Sequence, residues 1–119
     1  MFHSRDLAEQ YLLRHYNIVD RGAMPFKHGI TTIDFIVYDT AKDTLVAVRL
    51  YTVDDSSDNV MAEWTHKDRP YFVRAIKRYA EKHGWRMPVR ADLVWVRRGG
   101  EIDHVVGDVK TIKPRREVK

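Results

Sequence analysis

The sequence predicts an α/β protein, a mixed β-sheet flanked by helices, and three observations carry that prediction. Apolar residues recur at helical spacing in residues 4–15 and again in 68–83. Runs of alternating apolar and polar residues come in pairs across short turns, 31–38 with 44–53 and 91–96 with 102–109. Along the chain the two patterns follow one another as helix, hairpin, helix, hairpin, an order that packs helices against one sheet.

The first helix starts at Ser4, a good N-cap, and buries Leu7, Ala8, Tyr11 and Leu12. Arg14 and His15 suit the negative end of its dipole. A short extended piece, Asn17-Ile18-Val19, precedes a loop at Gly22-Ala23-Met24-Pro25. In the strand at 31–38, Ile33, Phe35 and Val37 share one face and Asp34, Ile36 and Tyr38 the other. The loop at 39–43 joins it to the strand at 44–53, and a polar loop follows at 54–59. The second helix has Pro70 in its first turn and Gly84 at its end. Its apolar stripe is Phe72, Ala75, Ile76, Tyr79 and Ala80. Gly99-Gly100 turns the last hairpin, and residues 110–119 are expected to fray. The division expected is one domain over 1–112 with a basic tail over 113–119.

At 119 residues, 44% apolar and 32% charged, the chain has the material for one modest core. There is no cysteine, which excludes disulfides and thiolate metal sites. No apolar run reaches the roughly 18 residues of a membrane span, and the N-terminus turns polar at once. No membrane association and a cytoplasmic location are therefore the expectation. The net charge of +4 fits a polyanionic partner without requiring one.

Several short segments match a known family in order and spacing. In the first helix, Ala8, Tyr11 and Leu12 fit the pattern G-E-x-x-A-x-x-Y-L, with Ser4 and Arg5 in place of Gly and Glu. Ile33 and Asp34 fit G-E-I-D-L-I. The run Leu45-Val46-Ala47-Val48-Arg49-Leu50-Tyr51-Thr52 lies where L-V-F-V-E-V-K-T is expected. Arg90-Ala91-Asp92-Leu93 fits R-F-D-V, and Ile102-Asp103-His104-Val105 fits I-x-H-I. On these residues the chain resembles the YraN-like branch of the restriction-endonuclease-like, PD-(D/E)XK, fold. The resemblance implies a three-layer α/β architecture and nucleic acid, in particular DNA, as partner.

Nucleases of that fold use an Asp on one strand and Glu-x-Lys on its neighbour. The carboxylates hold Mg²⁺ against a phosphate, and the lysine supports charge on it. Asp34 occupies the first position, as a vestigial catalytic residue. Arg49-Leu50-Tyr51 replaces Glu-x-Lys, so an active nuclease is not expected. Arginine has five donors and no acceptor, so Arg49 cannot ligate a metal and is expected to pair with Asp34. Arg5 replaces the acidic residue of the first helix and is a candidate third member of that network. The basic residue the family has near its second long helix falls on Lys67 or Asp68, depending on a one-residue shift.

Other features have two readings each. Arg49 either meets a phosphate or only pairs with Asp34. Arg74, Lys77 and Arg78 either track a nucleic-acid backbone or form a solvated helix face, with Lys82 beside them and Glu81 interleaved. Lys113, Arg115, Arg116 and Lys119 add at most non-specific phosphate contacts. His3, His15, His28, His66, His83 and His104 show no zinc motif. The loop with Asp54, Asp55 and Asp58 lacks the features of a calcium loop. Glu63 is the nearest later carboxylate for a displaced metal site. Trp64, Trp85 and Trp95 are expected in the core or an interface.

The function expected is a non-catalytic nucleic-acid-binding or accessory protein without a cofactor. Its candidate contacts are Arg5, Arg49, Tyr51, Arg74, Lys77 and Arg78. The alternatives are an active Mg-dependent endonuclease with a displaced carboxylate and a protein-interaction module. A homodimer through an exposed sheet edge is a further possibility.

Overall fold

The computed structural model describes residues 4–23, 33–52 and 60–110. The elements, in chain order, are α1 (Ser4–His15), β1 (Asn17–Ala23), β2 (Ile33–Asp39), β3 (Thr44–Tyr51), α2 (Val60–Glu63), α3 (Arg69–Lys82), β4 (Val89–Val96) and β5 (Ile102–Val105). A π-helical turn, Trp64–Asp68, runs from α2 into α3. The sequence-predicted loop at 54–59, the tail beyond Lys110, and Met24, Pro25, Thr31, Thr32 and Val53 lie outside the described residues.

The strands form one mixed sheet in the order β1-β2-β3-β4-β5. Among the described residues only β3 and β4 run parallel; the other neighbours are antiparallel. A parallel pair needs a crossover, and the helical segment from Val60 to Lys82 supplies it.

Each face of the sheet has its own core. On one side Ala8 and Leu12 of α1 pack with Phe35, Val37, Val46, Val48, Leu50, Val94 and Val96. On the other, Val60, Trp64, Phe72, Ala75, Ile76, Tyr79 and Ala80 pack with Ile36, Leu45, Ala47, Val89, Ala91 and Leu93. Strand alternation produces this division, because successive side chains point to opposite faces. Ile33, at the start of β2, departs from it and joins the α3 side.

The π turn explains how one helical segment keeps its apolar side on the sheet. Trp64 and Phe72 are eight residues apart, about 2.2 turns at 3.6 residues per turn, so an unbroken α-helix would carry them out of line. A wider turn winds less per residue and restores the phase. The two rings then meet at 5.8 Å between centroids.

Besides α2 and the π turn, which the sequence reading did not place, two strands differ most from it. Strand β1 runs on to Ala23, with a bulge between Ile18 and Asp20, and Gly22 takes a positive φ of 72°. Strand β5 ends at Val105 instead of 109, and pairing with β4 resumes one residue out of register at Val89–Lys110. The cause is a side chain: the Gly107 N–H donates to Asp92 Oδ1 at 2.9 Å. There the chain lies so close to β4 that a Cβ on Gly107 would stand 2.1 Å from the Ala91 carbonyl oxygen.

Candidate functional site

The β2–β3 ladder runs from Asp39–Thr44 to Phe35–Val48. Alternation then puts Asp34 and Arg49 on the face that α3 covers, beside Ile36, Ala47 and Tyr51. Beyond Phe35 a carboxylate takes the place of the next backbone acceptor. The Leu50 N–H donates to Asp34 Oδ2 at 2.7 Å.

Two guanidiniums flank that carboxylate. Arg49 Nη1 lies 3.6 Å from Asp34 Oδ2, and Arg5 Nη1 lies 3.8 Å from Oδ1. Arg5, from α1, also donates to the Asp34 carbonyl oxygen at 3.0 Å and stacks 4.4 Å from the Phe35 ring centroid. On its other side, Arg49 Nε is 3.7 Å from Asp68 Oδ2, and its guanidinium stacks 4.8 Å from the Tyr51 ring. The Tyr51 hydroxyl donates to the same Asp68 oxygen at 2.6 Å. The Arg49 Nε–H is buried and, among the described residues, finds no hydrogen-bond acceptor.

Burial pushes the Asp34 carboxyl pKa up, against the lowering pull of the Leu50 amide, Arg49 and Arg5. Burial also pushes the Tyr51 phenol up strongly, and its hydrogen bond to Asp68 adds to that. Tyr51 is therefore a neutral donor, not a stand-in for a lysine's charge. The donor set as it stands does not suit a divalent ion, because a cation without an acceptor lies between the two carboxylates. Among the described residues no three of His, Asp and Glu gather as a metal-binding set.

A second polar cluster lies on the α1 face. Arg90 and Asp92, on β4, have side chains 1% and 0% exposed. Arg90 Nε and Nη2 donate to the two Asp92 oxygens at 2.9 and 3.1 Å, and Nη1 donates to Asp39 Oδ2 at 3.0 Å. The Tyr16 hydroxyl accepts from Arg90 at 3.3 Å. Burial pulls the Arg90 pKa down, but its bonds to Asp92 and Asp39 outweigh that and the pKa is raised. His104 of β5 links Asp92 to α1: Nε2 is 2.7 Å from Asp92 Oδ2, and Nδ1 is 2.8 Å from the Tyr11 hydroxyl. This cluster ties the edge strand β5, helix α1 and the end of β2 to β4.

The structure thus brings Arg5, Asp34, Arg49 and Tyr51 together. Arg74, Lys77 and Arg78 lie elsewhere, about 8 to 14 Å beyond Arg69 along α3, on the side away from its buried stripe. Sequence reasoning missed the part played by Asp68. Its position before Pro70 suggests a helix start, yet its carboxylate caps no helix N–H and serves Tyr51 and Arg49 instead. It also missed Arg90 and Asp92 as a pair. The available signal was two charged residues in i, i+2 alternation within the apolar run VRADLVWV. The Glu63 side chain lies outside the described residues, as do His3, His28 and the acidic loop with Asp54, Asp55 and Asp58.

Comparison with known proteins finds no protein-family model and no curated relative that matches the chain. Among the described residues no helix is long and apolar enough to cross a membrane. The class that fold and site define is an α/β protein with a five-stranded mixed sheet and an arginine-centred charge cluster at the start of β2.

Proposed function

We propose that this chain is a non-catalytic nucleic-acid-binding or accessory domain on a restriction-endonuclease-like fold, with DNA as its partner. The observation that carries the reading is the position of Arg49, whose guanidinium lies between the Asp34 and Asp68 carboxylates at 3.6 and 3.7 Å. A fixed organic cation there supplies the positive charge that a nuclease of this kind takes from its metal, but it can neither polarise nor deliver a water. The fold assignment draws support from helices on both faces of a mixed sheet. It also draws support from an Asp on one strand facing an i, i+2 pair on its antiparallel neighbour.

The partner class follows from the resemblance and from the charge. Arg5 and Arg49 reach solvent, with side chains 48% and 33% exposed, and Arg74, Lys77 and Arg78 extend a basic surface along α3. The test is fluorescence anisotropy with labelled single-stranded and duplex oligonucleotides over a range of salt, alongside plasmid incubation in Mg²⁺ or Mn²⁺. Expected are binding that weakens with salt, weaker binding by Arg49→Ala, and no cleavage. Cleavage lost in Asp34→Ala would establish the active-nuclease alternative. No binding at any salt would favour a protein-interaction module.

A further inference from the structure

The Asp34 carboxylate satisfies neither arginine beside it. Charge-assisted N–H···O bonds run at about 2.7–2.9 Å, whereas its contacts to Arg49 and Arg5 are 3.6 and 3.8 Å. The short bond its carboxylate does make is to the Leu50 N–H, at 2.7 Å. The two guanidiniums are held by other groups. Arg5 rests on the Phe35 ring and the Asp34 carbonyl oxygen; Arg49 rests on the Tyr51 ring and lies beside Asp68. Removing the charge of Asp34 would therefore leave both arginines where they are, on either side of a neutral side chain. Both reach solvent, and Arg49 turns Nη1 towards that side chain while its buried Nε faces Asp68.

We propose that Arg5 and Arg49 form a binding site for a single phosphate of a nucleic-acid backbone, and that the Asp34 carboxylate is its built-in competitor. This rests on the nucleic-acid-binding reading above and adds where a phosphate goes and what opposes it. While charged, Asp34 neutralises the pair and weakens phosphate binding; once neutral, it leaves two cations facing the ligand. The groups facing Asp34 are Arg5 from α1, and Arg49 and the Leu50 N–H from β3, with Asp68 beyond Arg49. Burial raises the Asp34 pKa, so mild acid neutralises it earlier than an ordinary carboxyl.

The test compares wild type, Asp34→Asn and Asp43→Asn in anisotropy titrations with a labelled oligonucleotide. Asparagine keeps an oxygen for the Leu50 N–H. Asp43 lies at the opposite end of the β2–β3 hairpin, is exposed, and adds the same charge when changed. Asp34→Asn is expected to bind about tenfold more tightly than wild type at pH 8, and Asp43→Asn no more than about twofold. The ratio of wild-type to Asp34→Asn affinity should approach one as pH falls through the raised pKa of Asp34. Equal gains in the two variants overturn the proposal and leave the general nucleic-acid reading standing. An Asp34→Asn protein that melts as wild type does and binds no oligonucleotide overturns both.

Discussion

Arg90 and Asp92 meet side-on within β4, through bonds of 2.9 and 3.1 Å, with almost nothing of either side chain in contact with solvent. A buried pair of this kind stabilises little against an apolar replacement of both partners, but losing one partner leaves an uncompensated charge. Asp92 also accepts from the Gly107 N–H and contacts His104. Asp92→Ala is therefore expected to cost about 3–5 kcal/mol in urea unfolding, among the largest effects of any single change in this chain. A loss below about 1 kcal/mol would mean the Arg90 charge finds another partner.

Asp34 should respond differently to two substitutions. Asp34→Ala leaves the Leu50 N–H without its acceptor and is expected to cost about 1–3 kcal/mol. Asp34→Asn keeps an acceptor and should be at least as stable as wild type at pH 7. The sign follows from the raised pKa: the folded state favours the protonated carboxyl. The stability this group contributes is fully present below its unfolded value of 3.8 and is lost as pH rises through the folded value. The advantage of Asp34→Asn over wild type should thus grow as pH rises above 3.8, as measured by thermal melts across pH.

Tyr51 is the phenol expected to ionise last, behind Tyr11, Tyr16, Tyr38 and Tyr79, whose pKa values are raised less. Burial and the bond to Asp68 both hold it neutral. Ultraviolet titration should show a tyrosine that stays protonated after ordinary phenols have ionised, and Tyr51→Phe should remove that late step. The same variant should lose about 1 kcal/mol of stability through the missing Asp68 bond. A titration unchanged by Tyr51→Phe would contradict the burial of the hydroxyl.

Gly107 is required for its close approach to β4. In Gly107→Ala a Cβ would meet the Ala91 carbonyl at 2.1 Å, and backbone cannot swing away as a side-chain tip can. The expected cost is about 1–3 kcal/mol. Amide exchange should quicken in β5 and at Lys110 more than in β2 and β3. Uniform quickening across the sheet would argue against a local clash.

Much of this arrangement is legible in the sequence because it depends on local period. Helical spacing gives the buried stripe Phe72–Ala80 of α3, and in α1 it gives buried Ala8 and Leu12 with Leu7 and Tyr11 partly buried beside them. The neighbourhood of Asp34 and Arg49 follows from strand alternation across a short hairpin. Features set by distant contacts were not legible. The π turn depends on Trp64 finding Phe72 against the sheet. The carboxylate of Asp68 serves Tyr51, seventeen residues earlier, where local chemistry suggests a cap. The long β1 contains Asp20 and Arg21, which lie between the predicted extended piece at 17–19 and the predicted loop at 22–25. In the fold Asp20 accepts from the Tyr79 hydroxyl at 3.2 Å, and Arg21 donates to Glu9 at 2.8 Å. The break in β5 depends on Asp92 capturing the Gly107 amide, which no pattern within residues 102–109 announces.

The place of Arg49 between Asp34 and Asp68 is tested most directly by melting wild type and Arg49→Glu side by side with and without Mn²⁺. In the absence of metal the variant should melt below wild type, because three carboxylates then crowd one place. With Mn²⁺ the variant should gain about 4 °C or more while wild type stays unchanged, since only the variant offers an anionic oxygen set. A comparable Mn²⁺-dependent gain in wild type, abolished by Asp34→Ala, would show that the guanidinium does not hold the cation's place.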